Sequence, residues 1–215
     1  LCIWAGKKLC MMGDSITQYL GSDLANYMIL HNGFDTAANW GHAGTTWETD
    51  NGATKKDNTG VGMVNQLIAG AQLYGDTYIS DYDCVTIALG TNMSTMGTIS
   101  DTKADVDTMC GAMRYCLENL LYWGRVNVSI GVIIPPQRAD NHGKLEGAYE
   151  ERCELIKRIA HQYSIPTLDL YHEGQIVPDD ITDLGTMYYL GDGLHLGTNG
   201  ARQYMMKISR WLNTF

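Results

Sequence analysis

Leu9-Cys10-Met11-Met12-Gly13-Asp14-Ser15-Ile16-Thr17 is the stretch on which the reading of this chain turns. Four apolar residues run straight into Gly-Asp-Ser, and from Ile16 onward the apolar positions Ile16, Leu20, Leu24 and Met28 recur at helical spacing. A short apolar run that gives way to a 3.6-residue stripe reads as a buried strand turning into a helix. Ser15 then stands on the turn. A serine hydroxyl is a weak attacker at neutral pH. It needs a neighbouring base to take its proton and a third group to hold that base's tautomer. Asp192-Gly193-Leu194-His195, near the far end, supplies both residue types.

Outward from that turn the strand–helix pattern repeats. Strands are expected at Lys8 to Met12, Asp35 to Trp40, Cys84 to Leu89, Val126 to Ile134 and Pro166 to Leu170. Between them lie helical stripes: Val61, Val64, Leu67, Ile68 and Ala71; Val106, Met109, Met113, Cys116, Leu117 and Leu120; Cys153, Ile156, Ala160 and Tyr163; and Ala201, Met205, Ile208 and Leu212, with Thr198 as N-cap. Alternation of this kind indicates an α/β fold with a parallel sheet and crossover helices. Long polar segments at Gly41 to Gly60, Pro135 to Gly147 and Tyr171 to Leu194 each follow a strand's carboxyl end, the edge where such sheets bind ligands.

The chain has 215 residues, 45% of them hydrophobic, enough for one core, so residues 1–215 are expected to form a single domain. A net charge of -9 leaves no basic stripe for phosphates, which argues against nucleic acid or an anionic membrane surface as partner. No stretch approaches the roughly 20 apolar residues of a membrane span. The six cysteines form no C-x-x-C pair and are expected to be buried thiols. The opening Leu1-Cys2-Ile3-Trp4 lacks an initiator Met and reads as the start of a mature or excised domain. The compartment stays open, with a secreted protein favoured if the substrate is a polysaccharide.

Ser15, Gly44 and Asn92 all lie just past strand ends and are expected to converge if the first three strands are neighbours. Gly44, in Asn39-Trp40-Gly41-His42-Ala43-Gly44-Thr45, has no Cβ to keep its N–H from a reacting centre. Gly90-Thr91-Asn92 ends the third strand with a side-chain amide. Together with the Ser15 N–H at a helix start, these make three candidate donors for a developing oxyanion.

The four segments Gly13 to Thr17, Asn39 to Thr45, Gly90 to Asn92 and Asp192 to His195 resemble, in order, the blocks of the SGNH (GDSL-type) serine esterase superfamily. That resemblance implies a three-layer α/β/α fold around a five-stranded parallel sheet of flavodoxin-like strand order. It also implies Ser15 as nucleophile, His195 as base then acid, Asp192 as the group orienting the imidazole, and Ser15, Gly44 and Asn92 as the oxyanion hole. One departure is visible: the family often has Asp after the third-block Asn, and Met93 stands there.

Other readings compete at single positions. Asp14 is expected to tie down its own turn rather than serve as the triad acid. His31, His42, His142, His161 and His172 are set aside as the base. No two of them have the helical i, i+4 spacing of a zinc site, so neither metal nor other cofactor is expected. Trp40, Trp47, Tyr171, Tyr188 and Tyr189 are candidates equally for packing and for ligand contact. Met109, Met113, Met205 and Met206 are read as packing. The expected activity is removal of small acyl groups from a carbohydrate. The alternatives are a lipase or lysophospholipase, an acyltransferase, or a glycan-binding module that has lost turnover.

Overall fold

The computed structural model describes residues 3–49, 62–75, 78–92, 95–138, 146–178 and 188–215. Along the chain run β1 (Lys8–Gly13), α1 (Ser15–Asn32), β2 (Thr36–Gly41), α2 (Met63–Tyr74), a 3₁₀ turn (Tyr78–Asp81), β3 (Cys84–Ala88), α3 (Met109–Gly124), β4 (Ser129–Ile134), α4 (Glu146–Gln162), β5 (Thr167–Asp169), the single turn α5 (Leu170–Glu173) and α6 (Thr198–Leu212). The five strands are parallel, in the order β2-β1-β3-β4-β5. The order reverses beside β1, and a crevice at such a switch point is where doubly wound sheets bind ligands.

The inner strands β1, β3 and β4 are buried on both faces, which is why they read as near-continuous apolar runs, whereas the edge strand β2 is half-buried. Cys10, Met12, Val85, Ile87, Val132 and Ile134 pack with residues of α2, α3 and α4 in one cluster. Their alternates Leu9, Met11, Cys84, Ile133 and Leu168 pack with α1 and α6 in another. The result is a three-layer α/β/α arrangement. Met109 and Met113 are fully buried in the first cluster, and Cys10, Cys84, Cys110, Cys116 and Cys153 are buried free thiols.

The sequence-based boundaries shift at a few points for identifiable reasons. β4 begins at Ser129 rather than Val126, because α3 closes on Arg125 at φ 53° and the Asn127 N–H turns back to Gly124 O, leaving Val126 97% exposed. β5 stops at Asp169, whose carboxylate accepts the His172 N–H and starts α5. α3 begins at Met109, after the Thr108 cap, so Val106 lies outside it. The N-cap of α6 is Gly197, not Thr198, and no side chain caps it. Val61, Met93 and His142, and parts of the three long polar segments (50–61, 139–145 and 179–187), lie outside the described residues.

Two glycines let α1 start where it does. Gly13 and Gly41 are register partners at the ends of β1 and β2. A Cβ on Gly13 would lie 2.0 Å from Thr17 Oγ1, and one on Gly41 would lie 2.4 Å from the Gln18 backbone nitrogen. The first turn of α1 thus rests directly on the strand ends. Further along, α1 is kinked at Gly21, and Asn39 Nδ2 donates to the carbonyls of Thr17 and Gly21 that flank the break, at 2.7 and 3.0 Å. Asn39 Oδ1 accepts the Gly41 N–H at 2.9 Å, so one amide ties β2 to α1.

Gly41→Ala should therefore destabilise the protein by about 1–3 kcal/mol, because the methyl group meets backbone rather than a movable side chain. Gly191→Ala, where a Cβ meets nothing within 4 Å, should be close to neutral. Urea denaturation of the two variants checks the pair, and equal midpoints would contradict the close-approach argument.

Candidate active site

The turn between β1 and α1 is capped by its own aspartate. Asp14 Oδ1 accepts the Ile16 N–H at 3.0 Å, which places Ser15 as the first residue of α1, only 6% exposed. From the other end of the chain, Tyr189 bridges antiparallel to Leu196, and the Leu190 N–H donates to His195 O at 2.8 Å. The tight turn within this pair carries Gly193 at φ 66° and holds Asp192 and His195 on one side. Asp192 Oδ1 accepts the N–H groups of Leu194 and His195, at 3.0 and 2.9 Å, while its Oδ2 faces His195 Nδ1 at 2.6 Å. His195 Nε2 lies 3.0 Å from Ser15 Oγ, across 180 residues of sequence. An ionised carboxylate only accepts, so Nδ1 carries the proton and Nε2 presents its lone pair to the hydroxyl. The arrangement can move the Ser15 proton to the imidazole.

The candidate donors sit in loops that are tied together. Gly44, at φ 76°, is in the left-handed region that a glycine enters freely. Around it, the His42 N–H donates to Gly13 O (2.9 Å), the Ala43 N–H to Gln18 Oε1 (2.7 Å), and Thr45 Oγ1 to His42 O (2.7 Å). Gln66 of α2 donates to Thr45 Oγ1 at 2.9 Å. Asn92 Nδ2 donates to Thr45 O at 2.9 Å, which joins the loop after β2 to the loop after β3 and leaves the amide a second N–H. Arg152, itself buried, donates to the carbonyls of Gly90 and Asn92, both at 3.1 Å, and Arg138 donates to the intervening Thr91 carbonyl. The structure thus joins Ser15 to His195 and Asp192, and links the Gly44 loop to both Gly13 and Asn92.

Sequence reasoning missed the residues that hold these loops: Gln18, Gln66, Arg138 and Arg152. It also missed Tyr19, whose ring meets His195 edge-on at a centroid distance of 4.8 Å. The signal for Tyr19 was present, since a residue four past a helical serine lies on the same face. Of the aromatic candidates, Trp47 and Tyr189 are buried packing residues, whereas Trp40 is 37% exposed.

The other histidines are engaged elsewhere. His31 packs on Tyr27, His42 Nδ1 faces Ala43 O at 3.1 Å, and His161 Nε2 faces Thr167 Oγ1 at 3.3 Å. His172 forms a second Asp-x-x-His pair with Asp169, Nδ1 to Oδ2 at 3.0 Å, but its Nε2 looks toward Glu150 and not toward a hydroxyl. Among the described residues, Glu154, Asp169 and His172 bring three potential metal-ligand atoms within 4.8 Å. Lys157 Nζ already lies 2.9 Å from Asp169 Oδ2, so the cluster reads as an ion-pair group.

Two carboxyls near Ser15 are driven in opposite directions. Asp14 is 1% exposed, and burial pushes its carboxyl from 3.8 up to about 6 against the downward pulls of the Ile16 N–H, Thr91, His195 and Arg138. For Asp192 burial also acts upward, but the hydrogen bonds from the His195 ring and from the Leu194 and His195 amides outweigh it and hold the carboxyl below the ordinary range. Asp192 stays ionised against the imidazole.

No protein-family model and no curated protein matches the chain. Among solved structures, a Lactobacillus plantarum protein superposes with a TM-score of 0.76 at 21% identity, covering 98% of each chain. A lipase/acylhydrolase from Enterococcus faecalis (TM-score 0.63, 20% identity) covers 97% of this chain and 96% of its own. Est24, a carbohydrate acetylesterase from Sinorhizobium meliloti (TM-score 0.64, 18% identity), covers 97% of this chain and 99% of its own. The chain has the fold of the SGNH hydrolases.

The Asp14 carboxyl makes a measurable contribution to the pH dependence of stability. Between 3.8 and about 6 the folded state holds a proton there that the unfolded chain has lost. Stability from this group is therefore full at low pH and is lost as pH rises to about 6. Asp14→Asn keeps an acceptor for the Ile16 N–H and removes the titration. The stability of the variant minus that of the wild type should climb over this interval and level off above it, as read by urea denaturation at a series of pH values. A difference independent of pH would contradict the assignment.

Proposed function

We propose that this chain is a serine ester hydrolase that works through an acyl-enzyme, with Ser15 as nucleophile, His195 as base and acid, and Asp192 orienting the imidazole. The carrying observation is the continuous contact from Asp192 Oδ2 through the His195 ring to Ser15 Oγ, at 2.6 and 3.0 Å. In the first half-reaction the Ser15 Oγ–carbon bond forms as the Oγ proton passes to Nε2. The carbon–oxygen bond to the alcohol then breaks as that proton passes to the departing oxygen. In the second, water attacks the acyl carbon, gives its proton to Nε2 and releases the acid, and the proton returns to Oγ. The N–H groups of Ser15 and Gly44 and the free N–H of Asn92 receive the negative charge that develops on the carbonyl oxygen.

The substrate reading is a carbohydrate O-acetyl ester or a comparable small-acyl ester. The likeness to a carbohydrate acetylesterase supports it. The likeness to a lipase/acylhydrolase keeps a longer-chain esterase as the second reading.

A fluorophosphonate probe should label the wild type and not Ser15→Ala; absence of label on both would point to a binding module. Asn92→Ala should lower kcat by about 10²- to 10³-fold with a smaller change in KM. In a series of p-nitrophenyl esters, acetyl should be the fastest. Preference for long acyl chains would overturn the substrate reading and leave the mechanism standing.

A further inference from the structure

Beside the triad, Ile16, Tyr19 and Leu20 of α1 face Leu190 and Leu196 across a cavity of about 220 Å³ whose remaining wall is the His195 ring. We infer that this cavity is the subsite for the alcohol half of the ester, and that it selects an alcohol carrying an uncharged six-membered ring with an apolar face. The inference rests on the Ser15–His195 reading above.

Proton transfer decides which half of the ester goes there. The departing oxygen must take its proton from His195 Nε2, so the alcohol leaves along the imidazole, while the carbonyl oxygen turns away toward the Gly44 and Asn92 loops. The cavity is walled by His195 and by none of the candidate oxyanion donors.

Its walls decide the chemistry. Apart from His195 they are Ile, Leu and Tyr, with no charged side chain among the described residues to match an ionic alcohol. Tyr19 is 67% exposed and Leu190 52%, two large apolar side chains left in water on either side of the base. A ring laid against them removes that surface from solvent, whereas a two-carbon alcohol covers little of it. The geometry suits a flat occupant: Tyr19 stands edge-on to the imidazole at 63°, so the two rings form a corner rather than a slot. The high exposure of Tyr19 also leaves the outer rim of a bound ring, including any hydroxyls, in water. Both an aryl or cycloalkyl alcohol and a pyranose offer the required face.

The walls also move with the catalytic base. Leu190 and Leu196 belong to the antiparallel pair that carries the Asp192–His195 turn, and Ile16, Tyr19 and Leu20 share the helix that begins at Ser15. A ring seated here touches both elements that must stay in register for proton transfer.

The test compares acetyl esters that differ only in the alcohol: ethyl, cyclohexylmethyl and benzyl acetate, and a mono-O-acetylated methyl xylopyranoside. The wild type should prefer the ring esters to ethyl acetate in kcat/KM. Tyr19→Ala also removes the ring contact with His195, so the readout is the ratio of kcat/KM for a ring ester to that for ethyl acetate, which should fall about tenfold, with Tyr19→Phe close to wild type. If the cyclohexylmethyl and benzyl esters lose rate and the xylopyranoside does not, the subsite stands and its occupant is a hydrocarbon ring rather than a sugar. Equal losses on all four esters, or no ring preference in the wild type, would overturn the subsite. Labelling of Ser15 by a small fluorophosphonate, whose fluoride leaving group needs no alcohol subsite, reads whatever Tyr19→Ala does to the base itself, an effect common to all four esters that cancels in the ratio. If the wild type fails to label, the failure lies with the nucleophile and not with the subsite.

Discussion

The whole site depends on the contact between the first turn of α1 and the ends of β1 and β2. Gly13 meets the Thr17 side chain and Gly41 meets the backbone of Thr17 and Gln18, so there is no room for even a methyl group, and the helix starts flush with the sheet edge. That fixes three things together. The Ser15 N–H and hydroxyl come to the carboxyl edge of the sheet, Gln18 comes within reach of the Ala43 N–H, and Asp14 is driven into the interior. A longer turn would release all of them. The parallel sheet makes this possible because its crossover connections bring every helix start to the same edge, so a serine at position 15 and an amide at position 92 meet over adjacent strands.

Placing donors is a separate problem from placing the nucleophile, because Gly44 and Asn92 lie on loops. Here the chain spends its buried charge. Arg138 and Arg152 hold the three successive carbonyls of Gly90, Thr91 and Asn92, and the guanidinium of each lies within 6 Å of the Tyr149 ring. A buried guanidinium that grips carbonyls sets a loop more firmly than a neutral donor would, since charge-assisted hydrogen bonds are the stronger kind. Asn92 passes that rigidity on through Thr45 O to the loop that carries Gly44, and Gln66 braces the same threonine from α2.

What was legible in the sequence was whatever has a local signature. The five strands and the helix stripes follow from periodicity. Ser15 and the loops of Gly44 and Asn92 stand out as short residue patterns past strand ends, and Asp192 and His195 through the resemblance of their four-residue block. Boundaries failed where a single backbone conformation decided them, as at Arg125, where a positive φ ends α3 and delays β4. The bracing residues were illegible for a different reason. Gln18 and Arg152 act through one or two hydrogen bonds to backbone atoms, and Gln66 through one to the Thr45 hydroxyl, across separations of 21 to 62 residues, and nothing in their immediate surroundings marks them. Trp47 and Trp40 looked alike in sequence, yet one is buried in the core and the other lies over the 3₁₀ turn at Tyr78 and Tyr82.

The two Asp-x-x-His pairs show why pattern alone cannot assign a base. Asp169 holds His172 as Asp192 holds His195, with one oxygen on the backbone N–H and the other on Nδ1. The difference lies at the far nitrogen. The Nε2 of His172 faces the Glu150 carboxylate, 3.9 Å away and not a hydroxyl, and Lys157 competes for Asp169. His195 faces a hydroxyl. The same reasoning separates the two aspartates near Ser15. Asp192 is bound by three N–H donors that hold its carboxyl below the ordinary range, ready to balance an imidazolium, whereas burial raises the Asp14 carboxyl to about 6 and its oxygen Oδ1 is taken up by the Ile16 N–H. The carboxyl next to Ser15 in sequence thus caps its own turn, and the one 177 residues away meets the His195 ring.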